Sequence, residues 1–251
     1  MEVLAYMTNL WEEYSRTKAA DIREELIINY IDIVKFIAGR LYASYGSNVE
    51  FDDLVSYGVF GLMDAIDKYD ITRGVKFETY AQLRIRGAII DQLREMDWLP
   101  RSVRQKSKEI EKAYYDLERE LGRPATDEEM ADNLGLSLED FQKKIQNITA
   151  YSIVSLDDLL EQKREITTGE DDNQIETPEN AVKNNEIKEM LIAAINNLPE
   201  KEKKVVSLYY YDELTYKEIG KILSISESRV SQIHTKAIIR LKNKIKNLFE
   251  G

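Results

Sequence analysis

Apolar side chains recur every three or four residues along most of the chain, which is the spacing of an amphipathic α-helix. The clearest case lies between Gly74 and Arg104. There, one side of a helix would carry Phe77, Ala81, Ile85, Ala88, Ile89, Leu93 and Met96. Runs of alternating β-branched residues are lacking, and 251 residues contain 11 glycines and 4 prolines. The pattern predicts an all-α protein.

A second stripe of the same predicted helix is polar. At steps of three or four residues it carries Tyr80, Arg84, Gly87, Asp91 and Arg94. An aromatic ring can stack on a base, a guanidinium group can bind phosphate or guanine, and a carboxylate can accept from cytosine. From residue 73 to residue 106 there are eight basic and four acidic residues, although the whole chain carries −11. The stripe therefore predicts a nucleic-acid surface, the alternative being an ordinary solvated helix face.

Glycines, prolines and N-cap residues divide the chain into predicted helices. Residues 8–46 and 51–70 are predicted to be helical. After Pro124, Thr126 and Glu129 form a capping-box pattern, and Ser137 supplies a second N-cap, which predicts a helix-turn-helix unit. The same register returns without gaps at residues 215–230. We expect three small helical domains joined by linkers, the last two containing helix-turn-helix-like units, with divisions at 1–99, 100–150, 151–185 and 186–251.

The third of these segments is acidic. Residues 155–185 contain nine acidic and three basic residues and no sustained apolar face. This composition predicts a linker that is partly disordered in the free protein. It could lie in a basic cleft of another protein, or it could serve only as a spacer between domains.

Composition removes several classes of chemistry. With zero cysteines, the chain has no disulfide, Cys-ligated zinc or thiol nucleophile, and its one histidine, His234, argues against a His-based metal site. We expect His234 to be a partly exposed helix residue. The sequence lacks a bilayer-length apolar run and the pattern of a signal peptide. It predicts a cytoplasmic protein with no membrane association, cofactor, small-molecule substrate or enzymatic activity.

RIRGAIIDQLR followed by DWLPRSVR resembles the sigma-70 family of bacterial RNA polymerase sigma factors, and in particular its flagellar, or motility, branch. The resemblance implies that the Gly74–Arg104 helix recognises and opens the promoter's −10 element, with Tyr80 stacking on a flipped base. Leu83 and Arg84 stand where housekeeping members have tryptophans, so we expect weaker stacking and stricter promoter dependence. The predicted −10 residues are Lys76, Tyr80, Arg84, Arg86, Gly87, Asp91, Arg94, Trp98, Arg101 and Arg104, and the central domain is expected on the extended −10 side.

From Leu198 to Phe249 the sequence resembles the family's −35-recognition domain, a helix-turn-helix whose second helix enters the major groove. Housekeeping members have arginines where Glu227 and Ser231 stand, so the −35 sequence should differ. The predicted −35 residues are Thr215, Lys217, Glu227, Ser228, Arg229, Ser231, Gln232 and Lys236.

The block at 51–70 resembles the family's main polymerase-binding helix. Glycines there would bring backbones close, and apolar residues left over from internal packing would face the partner. The predicted contacts are Asp53, Leu54, Ser56, Tyr57, Val59, Phe60, Met63 and Asp67.

The resemblance implies a non-catalytic subunit that binds core RNA polymerase and promoter DNA and is restrained by interdomain packing or an anti-sigma protein. Motility genes are the implied targets, with sporulation or developmental genes the alternative. A stand-alone helix-turn-helix regulator is a second hypothesis, which predicts specific duplex binding by the free protein. An enzyme is disfavoured because the sequence offers no nucleophile–base pair, phosphate-binding glycine loop or metal constellation.

Overall fold

The computed structural model describes residues 2–45, 49–96, 100–149, 151–154, 156, 159 and 188–250. Within these ranges all regular structure is helical, which confirms the all-α prediction. The helices with defined bounds are α1 (Glu2–Thr17), α2 (Ala20–Tyr45), α3 (Phe51–Lys68), α4 (Phe77–Glu95), α5 (Arg101–Leu121), α6 (Asp127–Asn133), α7 (Leu138–Asn147), α8 (Glu200–Tyr210), α9 (Tyr216–Leu223) and α10 (Glu227–Glu250), with a short 3₁₀ helix at Ile71–Arg73.

The chain forms two compact units, Met1–Trp98 and Leu99–Gly251. The second unit contains both the predicted central domain and the predicted C-terminal domain, and the division between these two stays a prediction. Residues 151–154, assigned to the acidic linker, are helical, and Ile153 and Val154 are buried. Residues 156 and 159 of that linker are helical as well, and Leu156 is buried, whereas residues 155, 157, 158 and 160–185 lie outside the described residues. None of the described helices is long and apolar enough to cross a membrane.

Packing of α3 between α2 and α4 builds the core of the first unit. Leu26, Val34 and Leu62 are fully buried there. A Cβ on Gly61 would lie 2.8 Å from the carbonyl oxygen of Arg84, and one on Gly58 would lie 2.7 Å from Val34. These glycines therefore allow close approach inside the unit.

The apolar face of α4 follows the prediction at five positions, while Ala88 is half-buried and Ile90, which was not predicted, is buried. The buried residues are Phe77, Ala81, Ile85, Ile89, Ile90 and Leu93. The expectation for Met96 was wrong: it is 56% exposed because α4 ends at Glu95 and Met96 is its C-cap.

Polar N-cap side chains begin four helices of the second unit: α6, α7, α9 and α10. Thr126 and Glu129 form the predicted capping box at α6, and Thr215 and Glu218 form its counterpart at α9. Ser137 and Ser226 accept backbone N–H groups at the starts of α7 and α10, as predicted. The two helix-turn-helix units thus use the same local solution, since each cap satisfies a donor that the helix leaves open.

The two helix-turn-helix segments of the second unit pack together because α10, the last helix of the C-terminal segment, also contacts the central segment. Ile239 of α10 packs in the core of α5, α6 and α7 with Tyr114 and Phe141. A separate cluster holds α8, α9 and the start of α10 together around Val205, Ile219 and Val230. Consequently α10 packs against the α5–α7 group and also against α8 and α9, and much of its surface is buried.

Candidate nucleic-acid interface

Tyr80 lies in the first turn of α4 at the end of a row of aromatic rings. Its ring centroid is 6.0 Å from that of Tyr69, which in turn is 5.1 Å from Phe77 and 4.8 Å from Trp11. The Tyr69 hydroxyl donates a 2.7 Å hydrogen bond to the carbonyl of Val75, which fixes that ring. Tyr80 is half-buried, so the row supports its ring while part of it stays accessible.

Arg84 follows on the same stripe and is tied to α3. Its Nε donates a 2.9 Å hydrogen bond to Oδ2 of Asp64. Partial burial alone would raise the pKa of Asp64, but hydrogen bonds from Lys68 and Arg84 outweigh burial and hold that pKa below its usual value. The carboxylate therefore stays charged and keeps Arg84 in a fixed direction.

Asp91 and Arg94 contact each other near the C-terminal end of α4. Nη1 of Arg94 lies 2.6 Å from Oδ1 of Asp91, and both side chains are partly exposed. A surface pair of this kind contributes about 0–1 kcal/mol to stability. The pair places a carboxylate acceptor beside a guanidinium donor on the same stripe as Tyr80.

The remaining predicted −10 residues are spread over both units. Lys76 is exposed at the N-cap of α4, and Arg86 is half-buried. Arg101 and Arg104 lie in the first turn of α5, in the second unit. Trp98 lies outside the described residues. Leu83, where housekeeping members carry a tryptophan, is 70% exposed.

The predicted −35 helix, α10, is covered by the central helices rather than open to solvent. Ser231, Gln232 and Lys236 are buried. Asp127, the first residue of α6, accepts from two cations of α10: Nη1 of Arg229 at 2.8 Å and Nζ of Lys236 at 2.6 Å. Glu227 is exposed and Ser228 is half-buried. Four of the eight predicted −35 residues, Arg229, Ser231, Gln232 and Lys236, thus contact the central segment. Of the other four, Lys217 is exposed like Glu227, and Thr215 is half-buried like Ser228.

Hydroxyl groups and a backbone contact extend this interface. Thr149 shares hydrogen bonds with Thr235 at 2.8 Å and with Ser231 at 3.3 Å. The amide of Gln232 donates to the carbonyl of Gln142 at 3.5 Å. These polar contacts satisfy groups that burial would otherwise leave unpaired.

Arg240 is the most deeply placed cation of α10. It bonds to Glu118 of α5 at 2.7 Å, to Glu202 of α8, and to the carbonyl of Ala125 at 2.8 Å, while its guanidinium lies over the Tyr114 ring. Burial raises the pKa of Glu202, although Arg240 partly opposes that shift. Removing one member of such a network would leave a buried charge without compensation.

The aromatic side chains of the C-terminal segment differ widely in burial. His234 is fully buried, with Nδ1 2.9 Å from the Tyr216 hydroxyl, so the expectation of a partly exposed residue was wrong. Its ring packs against Tyr209 and Tyr210 of α8 and Tyr216 of α9. Tyr209 packs in the core, whereas Tyr211 is 86% exposed.

The predicted polymerase-binding residues of α3 divide into two groups. Leu54 is fully buried, and Asp67 is held by a bidentate pair with Arg23 and by Tyr14 at 2.7 Å, so both stabilise the unit. Phe60 is 67% exposed and Tyr57 is half-buried. Asp67 is exposed despite these bonds, and the other partly or fully exposed members of the set are Asp53, Ser56, Tyr57, Val59, Phe60 and Met63.

Comparison with known proteins agrees with this geometry. Models of sigma-70 region 2, region 3 and region 4 match residues 26–99, 105–182 and 194–243 respectively. The RNA polymerase sigma factor FliA of Escherichia coli K12 is 41% identical over 220 residues, covering 87% of this chain and 92% of FliA. The chain belongs to the sigma-70 family. As a sigma-70 protein, it has α2–α4 in region 2, α5–α7 in region 3 and α8–α10 in region 4.

Two further sigma factors extend the comparison. The RNA polymerase sigma-D factor of Bacillus subtilis strain 168 is 39% identical over 246 residues, covering 96% of this chain and 94% of its own. The cocrystal structure of the flagellar Sigma-28/FlgM sigma/anti-sigma complex matches with a TM-score of 0.57 and 38% identity, covering 90% of this chain and 96% of that one. Similarity therefore spans nearly the whole chain.

Proposed function

We propose that this sigma factor directs core RNA polymerase to motility-type promoters, opens their −10 DNA and is not itself an enzyme. The observation that carries the proposal is the α4 stripe, on which Tyr80 precedes the Asp91–Arg94 pair by three helical turns. Similarity to FliA and sigma-D supports the motility class over a sporulation or developmental role. A protein that acts on bacterial RNA polymerase and promoter DNA would work in the bacterial cytoplasm.

Opening of the −10 element uses the two ends of the stripe differently. Tyr80 would stack on a base drawn out of the duplex, an interaction of about 1–3 kcal/mol. Asp91 and Arg94 would read base edges in the adjoining duplex, because carboxylate and guanidinium groups suit cytosine and guanine. The half-buried position of Tyr80 supports this division of roles.

Recognition of the −35 element requires a change within the second unit. Arg229 and Lys236 form ion pairs with Asp127. The same two cations would otherwise be available to pair with DNA phosphates. We infer that the described conformation is closed to −35 DNA, and that α10 must separate from α6 and α7 before it enters a major groove. Burial of Gln232 and Lys236 also disfavours a stand-alone regulator, which would bind duplex as the free protein.

An anti-sigma protein is a proposed partner as well. The structural relative was captured with the anti-sigma protein FlgM. Such a partner would be expected to favour the closed arrangement of α6, α7 and α10. Slower amide exchange in these helices on mixing with a candidate anti-sigma protein would support the proposal, and an unchanged exchange map would count against it.

Transcription in vitro tests the main proposal. The purified chain is mixed with core polymerase and presented with a motility-type promoter and a housekeeping-type promoter. Initiation at the motility-type promoter alone is expected. Failure to initiate at either would contradict a sigma function, and equal initiation at both would contradict the assignment to motility promoters.

A further inference from the structure

Two glycines occupy the interior of long helices without a packing contact among the described residues that requires glycine. Gly87 lies in α4 and Gly39 in α2, and a Cβ built on either would meet no described atom within 4 Å beyond the adjoining backbone of its own helix. Gly58 and Gly61 differ, since a Cβ on each would fall within 3 Å of a neighbouring helix. Close packing inside the unit therefore explains Gly58 and Gly61 but leaves Gly87 and Gly39 unexplained.

Glycine is the least favourable residue inside a helix apart from proline, because it loses the most backbone freedom on folding. A helix-interior glycine in open space thus lowers stability without improving internal contacts. Such a position is expected where a backbone must be approached closely by something outside the chain.

The surroundings of Gly87 favour nucleic acid as such a partner. Gly87 lies on the polar stripe, four residues before Asp91 and seven after Tyr80, so it stands roughly 10 Å along the helix from the base-stacking ring. Arg84, one turn away, is oriented by Asp64. A cation on one side and the Asp91–Arg94 pair on the other suit a nucleic-acid strand.

We propose that Gly87 leaves the α4 backbone bare so that promoter DNA at the boundary between paired and opened strands lies directly against the helix. The inference rests on the proposed function. Tyr80 marks the opened side of the boundary, and Asp91 and Arg94 mark the duplex side. A methyl group at residue 87 would hold the DNA away from both and weaken every contact of the stripe together.

The test compares Gly87→Ala with Gly39→Ala as a matched control in the full-length chain. Both substitutions remove a helix-interior glycine from open space, so both should raise the melting temperature by roughly 4 °C. Each variant is then assembled with saturating core polymerase, and its affinity is measured for a fork-junction DNA carrying a motility-type −10 element. The fork joins a duplex to an unpaired strand at the proposed boundary.

Gly87→Ala should lose roughly tenfold in affinity for the fork, a loss similar to that of one base contact, while Gly39→Ala binds like the unchanged protein. Gly87→Val should lose more than Gly87→Ala. A protein that becomes more stable yet binds DNA less well cannot owe the loss to unfolding.

Equal fork affinities for Gly87→Ala and the unchanged protein would overturn the inference. An equal loss in both alanine variants would overturn it too, because the loss would then follow from stiffening of helices in general. If the unchanged protein initiates at no promoter, the proposed function fails instead. The two failures are therefore distinguishable.

Discussion

At the scale of single residues, neighbouring aromatic rings fix the position of the Tyr80 ring, which is itself only half-buried. Its ring is supported by Tyr69, whose hydroxyl is fixed to the Val75 carbonyl, and through Tyr69 by Phe77 and Trp11. Local periodicity predicted that Phe77 is buried and that Tyr80 lies on the polar stripe. It did not predict this row, since Trp11 comes from a helix some 60 or more residues earlier in the chain.

Tyr80→Ala should slow strand opening more than it weakens initial closed-complex binding, because stacking operates only on an unpaired base. Tyr80→Phe keeps a ring and should open promoters nearly normally. Permanganate reactivity of the −10 thymines reports opening, and gel shifts under non-melting conditions report closed binding. Equal losses in the two measurements for Tyr80→Ala would contradict the stacking role.

A second residue-scale prediction concerns Gly61. Its Cβ would lie 2.8 Å from the Arg84 carbonyl oxygen and 2.8 Å from Cα of Ile85, so Gly61→Ala must push α3 away from α4. Overpacking of this kind costs about 1–3 kcal/mol, which denaturant titration of the unfolding transition would measure. A variant as stable as the unchanged protein would contradict the close approach of the two helices.

At the scale of elements, the helices with polar caps were the most predictable. Thr126, Ser137, Thr215 and Ser226 all cap as predicted, because a cap depends on residues only three positions away. Met96 shows the limit of the same reasoning, since apolar spacing continued beyond the point where α4 ends. Boundaries depend on the turn that follows, which periodicity does not contain.

The capping box of α6 should persist to low pH. Hydrogen bonds from Arg123 and from the backbone of Thr126 lower the pKa of Glu129 to about 2. Because the folded-state pKa is lowered, the contribution of Glu129 is complete above its ordinary value of 4.5 and is lost as the pH falls toward 2. Carboxyl-carbon NMR titration of Glu129 would follow this. In Arg123→Ala the transition should move upward, and an unmoved transition would contradict the stated cause.

At the scale of the whole molecule, the main feature of the second unit is that one helix-turn-helix segment covers α10, the second helix of the other. The sequence predicted both segments and their shared register. It did not predict that they pack together, because Asp127 and its partners Arg229 and Lys236 are about a hundred residues apart and belong to segments that each look complete. The burial of His234 was missed for a different reason, since the rings that pack against it, Tyr209, Tyr210 and Tyr216, come from other helices of its own segment.

Asp127→Ala should release α10 and let the free protein bind −35 duplex DNA more tightly. Asp140→Ala is the control, since it removes the same charge from the first turn of α7, where Asp140 is exposed and accepts a hydrogen bond from Ser137. Fluorescence anisotropy with a −35 duplex would compare them. Similar gains in both variants would show that reduced negative charge, and not release of the helix, strengthens binding.

The aromatic row from Trp11 to Tyr80 also has an optical consequence. The chain has two tryptophans, and Trp98→Phe would leave Trp11 as the only indole. Trp11 reaches Tyr80 through Tyr69 over two ring-to-ring steps of 4.8 and 6.0 Å. A base settling on Tyr80 should therefore alter Trp11 emission, giving the protein an internal fluorophore that reports promoter melting in real time without any attached dye.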